Sequence, residues 1–141
     1  MKCSLEQEKI IYLLKIMSNQ LSPKFERCTG ISSSRYDLLY QLYITDEVTQ
    51  SNLQKAIHID GAAITRHLKQ LEVDGMVARR RNPEDQRVTF VRLTDEGRSH
   101  IVNYNEERRS FVQQMLQGFN DEELVSLTDM LNRMHDNLKD L

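Results

Sequence analysis

The fold is decided by residues 60–97, which read DGAAITRHLKQLEVDGMVARRRNPEDQRVTFVRLTDEG. Asp60 can cap a helix, because its carboxylate can accept hydrogen bonds from the free N–H groups of the first turn. Gly75 follows where a left-handed stop is expected. Beyond it the apolar pattern becomes that of strands over Met76–Arg81 and Val88–Leu93, with a polar link that carries a proline between them. The segment therefore predicts a short helix followed by a β-hairpin.

A second short helix is predicted directly upstream. Thr49 can cap a helix that carries the apolar residues Leu53, Ala56 and Ile57, and only a few residues separate its end from Asp60. Two short helices joined by a tight turn and followed by a hairpin form the winged variant of the helix-turn-helix, whose second helix enters the major groove of DNA. The order of the elements therefore predicts a DNA-binding motif with the hairpin as its wing.

Longer helices are predicted before this motif. Apolar residues recur at steps of three and four from Leu5 to Leu21, which is the pattern of an amphipathic helix, and Pro23 lies where it would bend or end that helix. Residues 28–30 predict a break. Residues 32–34 are three serines that offer caps for a second helix.

Two further helices are predicted after the hairpin. Thr94 precedes two acids and can cap a helix that runs to Gly118, and Asn120 with Glu123 can cap the last helix. The last helix has apolar residues at alternating steps of three and four, a heptad pattern that needs a partner: Leu124, Leu127, Leu131, Met134, Leu138 and Leu141. The predicted fold class is mainly α with a small β-hairpin, a winged helix-turn-helix domain plus a helical region built from both chain ends.

The second short helix has two different faces. Ile64, Leu68 and Leu71 share the face that packs on the preceding helices, together with His67. The opposite face carries Arg66 and Lys69. Its first turn has almost no side-chain bulk, and Thr65 lies between the faces. Arg66 can read a guanine edge or hold a phosphate, and the sequence leaves both roles open.

Five arginines crowd the predicted hairpin: Arg79, Arg80, Arg81, Arg87 and Arg92. Alternation along a strand divides such residues between two faces, so they do not all reach one partner. Charged residues also protect exposed sheet edges, which is the alternative explanation for this cluster.

Composition and charge narrow the class of protein. The chain has 141 residues, with 39% apolar and 28% charged residues and no tryptophan, which is typical of a helix-rich globular chain. No apolar run reaches the length of a membrane span, and the N-terminus lacks an export pattern, so we expect a cytoplasmic protein with no membrane partner. The net charge of −2 is unevenly distributed. Residues 61–92 hold seven Lys and Arg against four Asp and Glu, whereas residues 93–141 hold five against ten.

Motifs for catalysis are missing from the sequence. Only five glycines are present, and they form no phosphate-binding loop, nor is there a nucleophile elbow. The four histidines stand singly, without the short spacing of a metal site. We therefore expect no enzyme, no metal and no cofactor.

A resemblance to a known family strengthens the prediction of DNA binding. Asp85, Arg87, Leu93, Thr94 and Gly97 form the pattern Asp-x-Arg-x-x-x-x-x-Leu-Thr-x-x-Gly. This pattern resembles the wing-to-helix signature of the MarR family of bacterial transcription regulators. Residues 65–79 also resemble that family's recognition helix and first wing strand.

The resemblance implies a homodimer that binds palindromic promoter DNA. Recognition helices would lie in successive major grooves and the wing arginine Arg87 in the minor groove, with Asp85 as the support of that arginine. The expected DNA-binding residues are Thr49, Ser51, Gly61, Ala62, Ala63, Thr65, Arg66, Lys69, Arg81 and Arg87.

The apolar stripes at both chain ends predict pairing of two copies. We assign residues 1–30 and 99–141 to a helical dimerisation region and residues 31–98 to the DNA-binding domain. The expected interface residues are Leu13, Met17, Leu124, Leu127, Leu131, Met134 and Leu138.

The sequence leaves the mode of regulation open. The resemblance implies a repressor released from DNA by a small aromatic ligand or by cysteine oxidation, with Cys3 and Cys28 as the candidate thiols, although activation is an alternative. Tyr36, Tyr40 and Tyr43 lie near the ligand cleft that the resemblance implies, but tyrosines at this spacing more often serve packing. A helical dimer adaptor without sequence-specific DNA binding is the alternative function.

Overall fold

The computed structural model describes residues 2–141, which form six helices and three short strands. The three strands form one antiparallel sheet in the order β1-β3-β2. The elements are α1 (Leu5–Thr29), α2 (Ser33–Thr45), β1 (Val48–Thr49), α3 (Gln50–Ile57), α4 (Gly61–Val73), β2 (Val77–Arg81), β3 (Thr89–Leu93), α5 (Asp95–Met115) and α6 (Asp121–Lys139). The predicted fold class is confirmed, with the difference that the sheet has three strands.

Single side chains start the helices, as predicted. Ser32 accepts a hydrogen bond from the N–H of Arg35, and Thr49 and Asp60 do the same at the starts of α3 and α4. Asn120 and Glu123 form a capping box at the start of α6, in which each side chain accepts from the other residue's backbone N–H. These caps fix where each helix begins, because they satisfy N–H groups that have no partner within the helix.

The first helix is longer than its sequence predicts. α1 continues through Pro23 to Thr29 and ends at Gly30, which has a φ of 80°. The predicted break at residues 28–30 is therefore wrong for Cys28 and Thr29. Tertiary contacts account for the extension, because Phe25 and Thr29 are buried and the Phe25 ring packs edge-on against Tyr36 and Phe111. This packing offsets the backbone hydrogen bond that proline lacks.

The predicted hairpin is correct to within one residue at each strand. β2 pairs with β3 from Val77 opposite Leu93 to Arg81 opposite Thr89. The hairpin is part of a three-stranded sheet that the sequence did not predict, because Val48 pairs with Val91 on the other edge of β3. A strand of two residues is too short to produce a periodic pattern.

The hydrophobic core lies between the helix-turn-helix and the sheet. Ile64, Leu68 and Leu71 of α4 are each at most 1% exposed, as their predicted face requires. They belong to a cluster with apolar residues from α2, α3, the sheet and α5: Leu38, Leu39, Leu42, Leu53, Val77, Val91, Leu93 and Ile101. This core holds α4 with its opposite face exposed.

The chain divides into two compact units, of which one ends at Phe111 and the other begins at Val112. The first unit contains the winged helix-turn-helix with its core. In the second unit all residues of α6 are described, and none is buried. Across residues 2–141, no helix is both long and apolar enough to cross a membrane.

A junction at Thr94 joins the wing to α4 and α5. The Thr94 hydroxyl donates to the Gly75 carbonyl at 2.6 Å and accepts from the N–H of Gly97 at 3.0 Å. The Thr94 N–H donates to the Met76 carbonyl at 3.0 Å. A Cβ atom on Gly97 would overlap that carbonyl oxygen. The first turn of α5 therefore lies so close to the Met76 backbone that only glycine fits at position 97.

The close approach at Gly97 predicts a large effect of one methyl group. Gly97→Ala should lower the free energy of unfolding by about 1–3 kcal/mol, because the overlap of the new Cβ with Met76 outweighs the gain in helix propensity. Urea unfolding followed by circular dichroism measures this loss. Gly61→Ala is the matched control, since a Cβ there meets only the Gln54 side chain at 3.6 Å. Equal stability of the two variants would contradict the assigned role of Gly97.

Candidate nucleic-acid interface

The exposed face of α4 is small at its N-terminus and basic further along. Gly61 and Ala62 are exposed, and Ala63 is half-buried. Arg66 and Lys69 are exposed one and two turns later. Neither has a carboxylate within ion-pair distance among the described residues, so both positive charges are available to a ligand.

The first turn of α3 lies next to α4 in the motif. Thr49 is half-buried, and its hydroxyl accepts from the N–H of Asn52 at 3.1 Å, so it is occupied as a helix cap. Ser51 is exposed. Gln50 contacts Thr65 of α4 through its side-chain amide, at 3.4 Å from Nε2 to Oγ1. Gln50 could not be predicted as a site residue, because no local sequence pattern indicates a contact between residues 15 positions apart.

The strands of the wing place their arginines on two faces, as alternation predicts. Val77, Val91 and Leu93 are buried on the inner face. Arg79 shares that face, and its Nη2 donates to the Glu72 carboxylate of α4 at 3.0 Å. This hydrogen bond lowers the pKa of the Glu72 carboxyl against the opposing effect of burial. Arg79 therefore ties the recognition helix to the wing.

Arg80 lies on the outer face of the wing. Its guanidinium forms two hydrogen bonds with the Glu47 carboxylate, at 2.8 and 3.3 Å, and lies 4.6 Å from the centre of the Phe90 ring. The hydrogen bond from Arg80 is the main cause of the lowered pKa of Glu47. Arg80 is thus neutralised within the chain.

The wing tip is an ordered loop that carries Arg87. The Val88 carbonyl accepts from the N–H of Asn82 at 2.8 Å, and the Asp85 carbonyl accepts from the N–H of Val88 at 3.0 Å. The Asp85 carboxylate accepts from both the backbone N–H and Nε of Arg87, at 3.1 and 3.2 Å. The Arg87 side chain is nevertheless 92% exposed, and Arg81 beside it is also exposed. Asp85 therefore orients Arg87 without burying it.

His67 lies on the inner side of α4 and meets α2. Its Nδ1 accepts a hydrogen bond from Nε of Arg35 at 3.4 Å. Burial lowers the pKa of His67, and the positive charges of Arg35 and Arg66 lower it further. The folded state therefore favours the neutral imidazole.

The tyrosines of α2 serve different purposes. Tyr36 is buried, its hydroxyl donates to Asn105 at 2.6 Å, and its ring meets Phe25 edge-on. It therefore serves packing, which is the more common role of tyrosines at this spacing. Tyr40 stacks on Tyr36 but is 42% exposed. Tyr43 is 37% exposed and lies beneath a guanidinium of α5.

Both cysteines are free and exposed. Cys3 precedes α1 and Cys28 lies in its last turn, so they are roughly 35 Å apart at 1.5 Å per residue. A disulfide requires Cα atoms within about 7 Å, which excludes a bond between them in one folded chain. The described residues contain no group of three or more His, Cys, Asp or Glu side chains placed to hold a metal ion.

This geometry defines a winged helix-turn-helix, in which an exposed basic helix lies beside a wing with an exposed tip arginine. Residues 31–89 match the family model of the MarR family. The chain is 50% identical over 139 residues to the uncharacterized HTH-type transcriptional regulator YdgJ of Bacillus subtilis (strain 168), covering 99% of this chain and 84% of that protein. The protein belongs to the MarR family and is a DNA-binding transcription regulator rather than an enzyme.

Solved structures share the fold. A mutant MarR from E. coli in complex with operator DNA superposes with a TM-score of 0.79 at 22% identity, over 94% of this chain and 99% of that chain. A structure of Bordetella bronchiseptica BpsR, whose DNA binding is regulated by 6-hydroxynicotinic acid, superposes with a TM-score of 0.79 at 21% identity. The match covers 90% of this chain and 98% of that chain. At these identities the likeness shows a common fold.

The neutral state of His67 predicts a stability that depends on pH. Its pKa is lowered from the ordinary 6.5, so the unfolded chain binds more protons as pH falls below that value. The stability associated with a neutral His67 is present in full above about pH 6.5, the unfolded pKa, and is lost as pH falls towards the lower pKa of His67 in the folded state. His67→Gln should therefore show a smaller loss of urea midpoint between about pH 7.5 and pH 5.5 than the wild type. His135→Gln, at an exposed histidine of α6, should keep the wild-type loss, and a wild-type loss in His67→Gln would disprove the assignment.

Proposed function

We propose that this protein is a homodimeric repressor that binds palindromic promoter DNA through α4 and the wing. The observation that carries the proposal is the exposed face of α4. Its two basic side chains, Arg66 and Lys69, lack carboxylate partners, and its first turn has no bulk to keep the backbone away from a groove. A repressor is favoured over an activator because a dimer seated on promoter DNA obstructs polymerase by occupancy alone.

The roles of the α3 and α4 residues follow from their placement. Gly61, Ala62 and Ala63 allow close approach to the major groove, where Arg66 contacts base edges or phosphate and Lys69 holds phosphate. Ser51, exposed on the first turn of α3, contacts the phosphate backbone. Thr49, next to this site, contacts DNA mainly through its own main chain, because its hydroxyl already caps α3.

The wing supplies contacts outside the major groove. Arg87 enters the minor groove, and Asp85 limits the conformations of its guanidinium by a charge-assisted hydrogen bond. Arg81 lies next to it and has no carboxylate partner within the described residues. Arg81 therefore contacts phosphate near the tip.

Pairing of two copies explains the apolar surface of both units. α1 exposes Leu13 and Met17 by 53% and 55%, and α6 exposes Leu131 and Leu138 by 44% and 65%. Leu124, Leu127 and Met134 of α6 are half-buried. Apolar surface of this extent marks an interface in a globular protein. We assign it to a second copy, with residues 1–30 and 99–141 as the dimerisation region, because a twofold dimer sets two recognition helices roughly one DNA turn, about 34 Å, apart.

Release from DNA by a small aromatic ligand is the favoured regulation. Tyr40 and Tyr43 expose ring surface on α2, and BpsR, which shares the fold, is regulated by 6-hydroxynicotinic acid. Oxidation of Cys3 or Cys28 is the second route, since both thiols are exposed. Because its target is promoter DNA, we propose that the protein acts in the cytoplasm.

A titration of DNA binding tests this function. Fluorescence anisotropy would compare a duplex from the protein's own upstream promoter with a scrambled duplex, each at two salt concentrations. The proposal expects tighter binding to the promoter that persists at the higher salt, since base contacts add to phosphate contacts. Weak and equal binding to both duplexes would overturn it in favour of a dimer adaptor.

The wing tip has its own prediction. Arg87→Ala should weaken promoter binding by about tenfold, which is about 1.4 kcal/mol. It should also reduce the magnitude of the slope of log affinity against log salt by about two, because the dimer loses one such contact from each wing. Its thermal melting should stay unchanged, because the side chain is exposed. Arg133→Ala, in the acidic C-terminal segment, is the control and should bind as the wild type does. An Arg87→Ala protein with wild-type affinity would remove the wing from the interface.

The dimer interface predicts a linked loss. Leu131→Asp should yield monomers in analytical ultracentrifugation and lose promoter binding together, since a charge in the stripe opposes pairing. Ile44→Asp places the same charge on another apolar residue, 55% exposed at the end of α2, and should remain dimeric. A dimeric, tightly binding Leu131→Asp protein would refute the assigned interface.

A further inference from the structure

A side-chain contact links the two helices of the helix-turn-helix on their exposed side. Gln50 is the first residue of α3, and its Nε2 donates to the Thr65 hydroxyl of α4 at 3.4 Å. Thr65 is exposed and Gln50 half-buried, so the contact lies at the surface that the proposed function places on DNA. The family signature and the capping pattern leave Gln50 without a role.

The hydrogen bonds of Thr65 determine what it can offer a base. Its hydroxyl donates its single proton to the Gly61 carbonyl at 2.8 Å and accepts from Gln50. No proton remains to donate to DNA. Of the two groups on the Cβ of Thr65, only the methyl group is then left for an apolar contact with a base, such as the C5-methyl of thymine.

The amide of Gln50 keeps both a donor and an acceptor. One N–H is directed to Thr65, which leaves the second N–H and Oε1 without a partner among the described residues. A glutamine amide in this state matches adenine, whose N7 accepts and whose N6 donates in the major groove. The bond to Thr65 also restricts the rotamers of Gln50, which lowers the entropy lost on binding a base.

We propose that Gln50 is a specificity-determining residue of the DNA interface, and that Gln50 and Thr65 act as one unit that selects an A·T base pair in each half-site. Gln50 contacts the adenine N6 and N7, and Thr65 holds the amide in place. This inference rests on the proposed function, in which α4 occupies the major groove. A purely structural brace between α3 and α4 would instead alter affinity for all sequences alike.

Selection from a pool of random duplexes tests the inference. The wild type should enrich a half-site with one dominant A·T position that Gln50→Ala relaxes by about tenfold, leaving the other positions unchanged. Thr65→Val keeps the side-chain shape but removes the hydroxyl acceptor, so it should relax the same position, and the double variant should relax it no further. Lys55→Ala, on the side of α3 away from the buried Leu53, is the control and should leave the selected sequence unchanged.

Modified DNA keeps the test independent of folding. The wild type should bind the selected duplex about tenfold more weakly when 7-deazaadenine replaces the adenine, because N7 is lost, whereas Gln50→Ala should bind both duplexes equally. Equal binding of both duplexes by the wild type would overturn the inference, as would an undiminished preference in Gln50→Ala. A wild type that enriches no sequence would overturn the proposed function itself, which separates the two failures.

Discussion

The Thr94 hydroxyl forms the contacts on which the arrangement of α4, the wing and α5 depends. It joins the carbonyl after α4 to the first turn of α5, while the Thr94 backbone bonds to Met76 at the start of the wing. The end of the recognition helix, both wing strands and the start of α5 therefore meet within one turn of chain. Gly97 is required there because a Cβ would overlap Met76. The Leu-Thr-x-x-Gly pattern thus reflects a packing constraint: the threonine forms the hydrogen bonds and the glycine leaves room for the Met76 backbone.

Carboxylates determine how much positive charge the wing presents. Glu72 of α4 forms an ion pair with Arg79 of β2, and Glu47 forms an ion pair with Arg80 on the outer face of the wing. Asp85 differs because its partner, Arg87, stays almost fully exposed. Within a cluster that looks uniformly basic in the sequence, Arg79 and Arg80 are thus held in ion pairs with other elements, whereas the tip arginine Arg87 stays exposed.

Features fixed by neighbouring residues could be predicted from the sequence. Ser32, Thr49 and Asp60 each cap the helix that follows, and the apolar face of α4 follows from its spacing. The extension of α1 through Pro23 could not be predicted, because it depends on burial of Phe25 and Thr29 by distant parts of the chain. The pairing of Val48 with β3 and the contact of Gln50 with Thr65 could not be predicted for the same reason, because both depend on how elements remote in sequence pack together.

The length of α1 has a consequence for the chemistry of the two thiols. One continuous helix separates Cys3 from Cys28, and both side chains face solvent. Any disulfide made by either residue in the folded protein must therefore join two chains or a chain and a small thiol. The first product adds a covalent bond between subunits, and the second adds only the mass of the small thiol. Disulfide formation by this protein therefore depends on its assembly and on the thiols in solution, and it cannot occur within one folded chain.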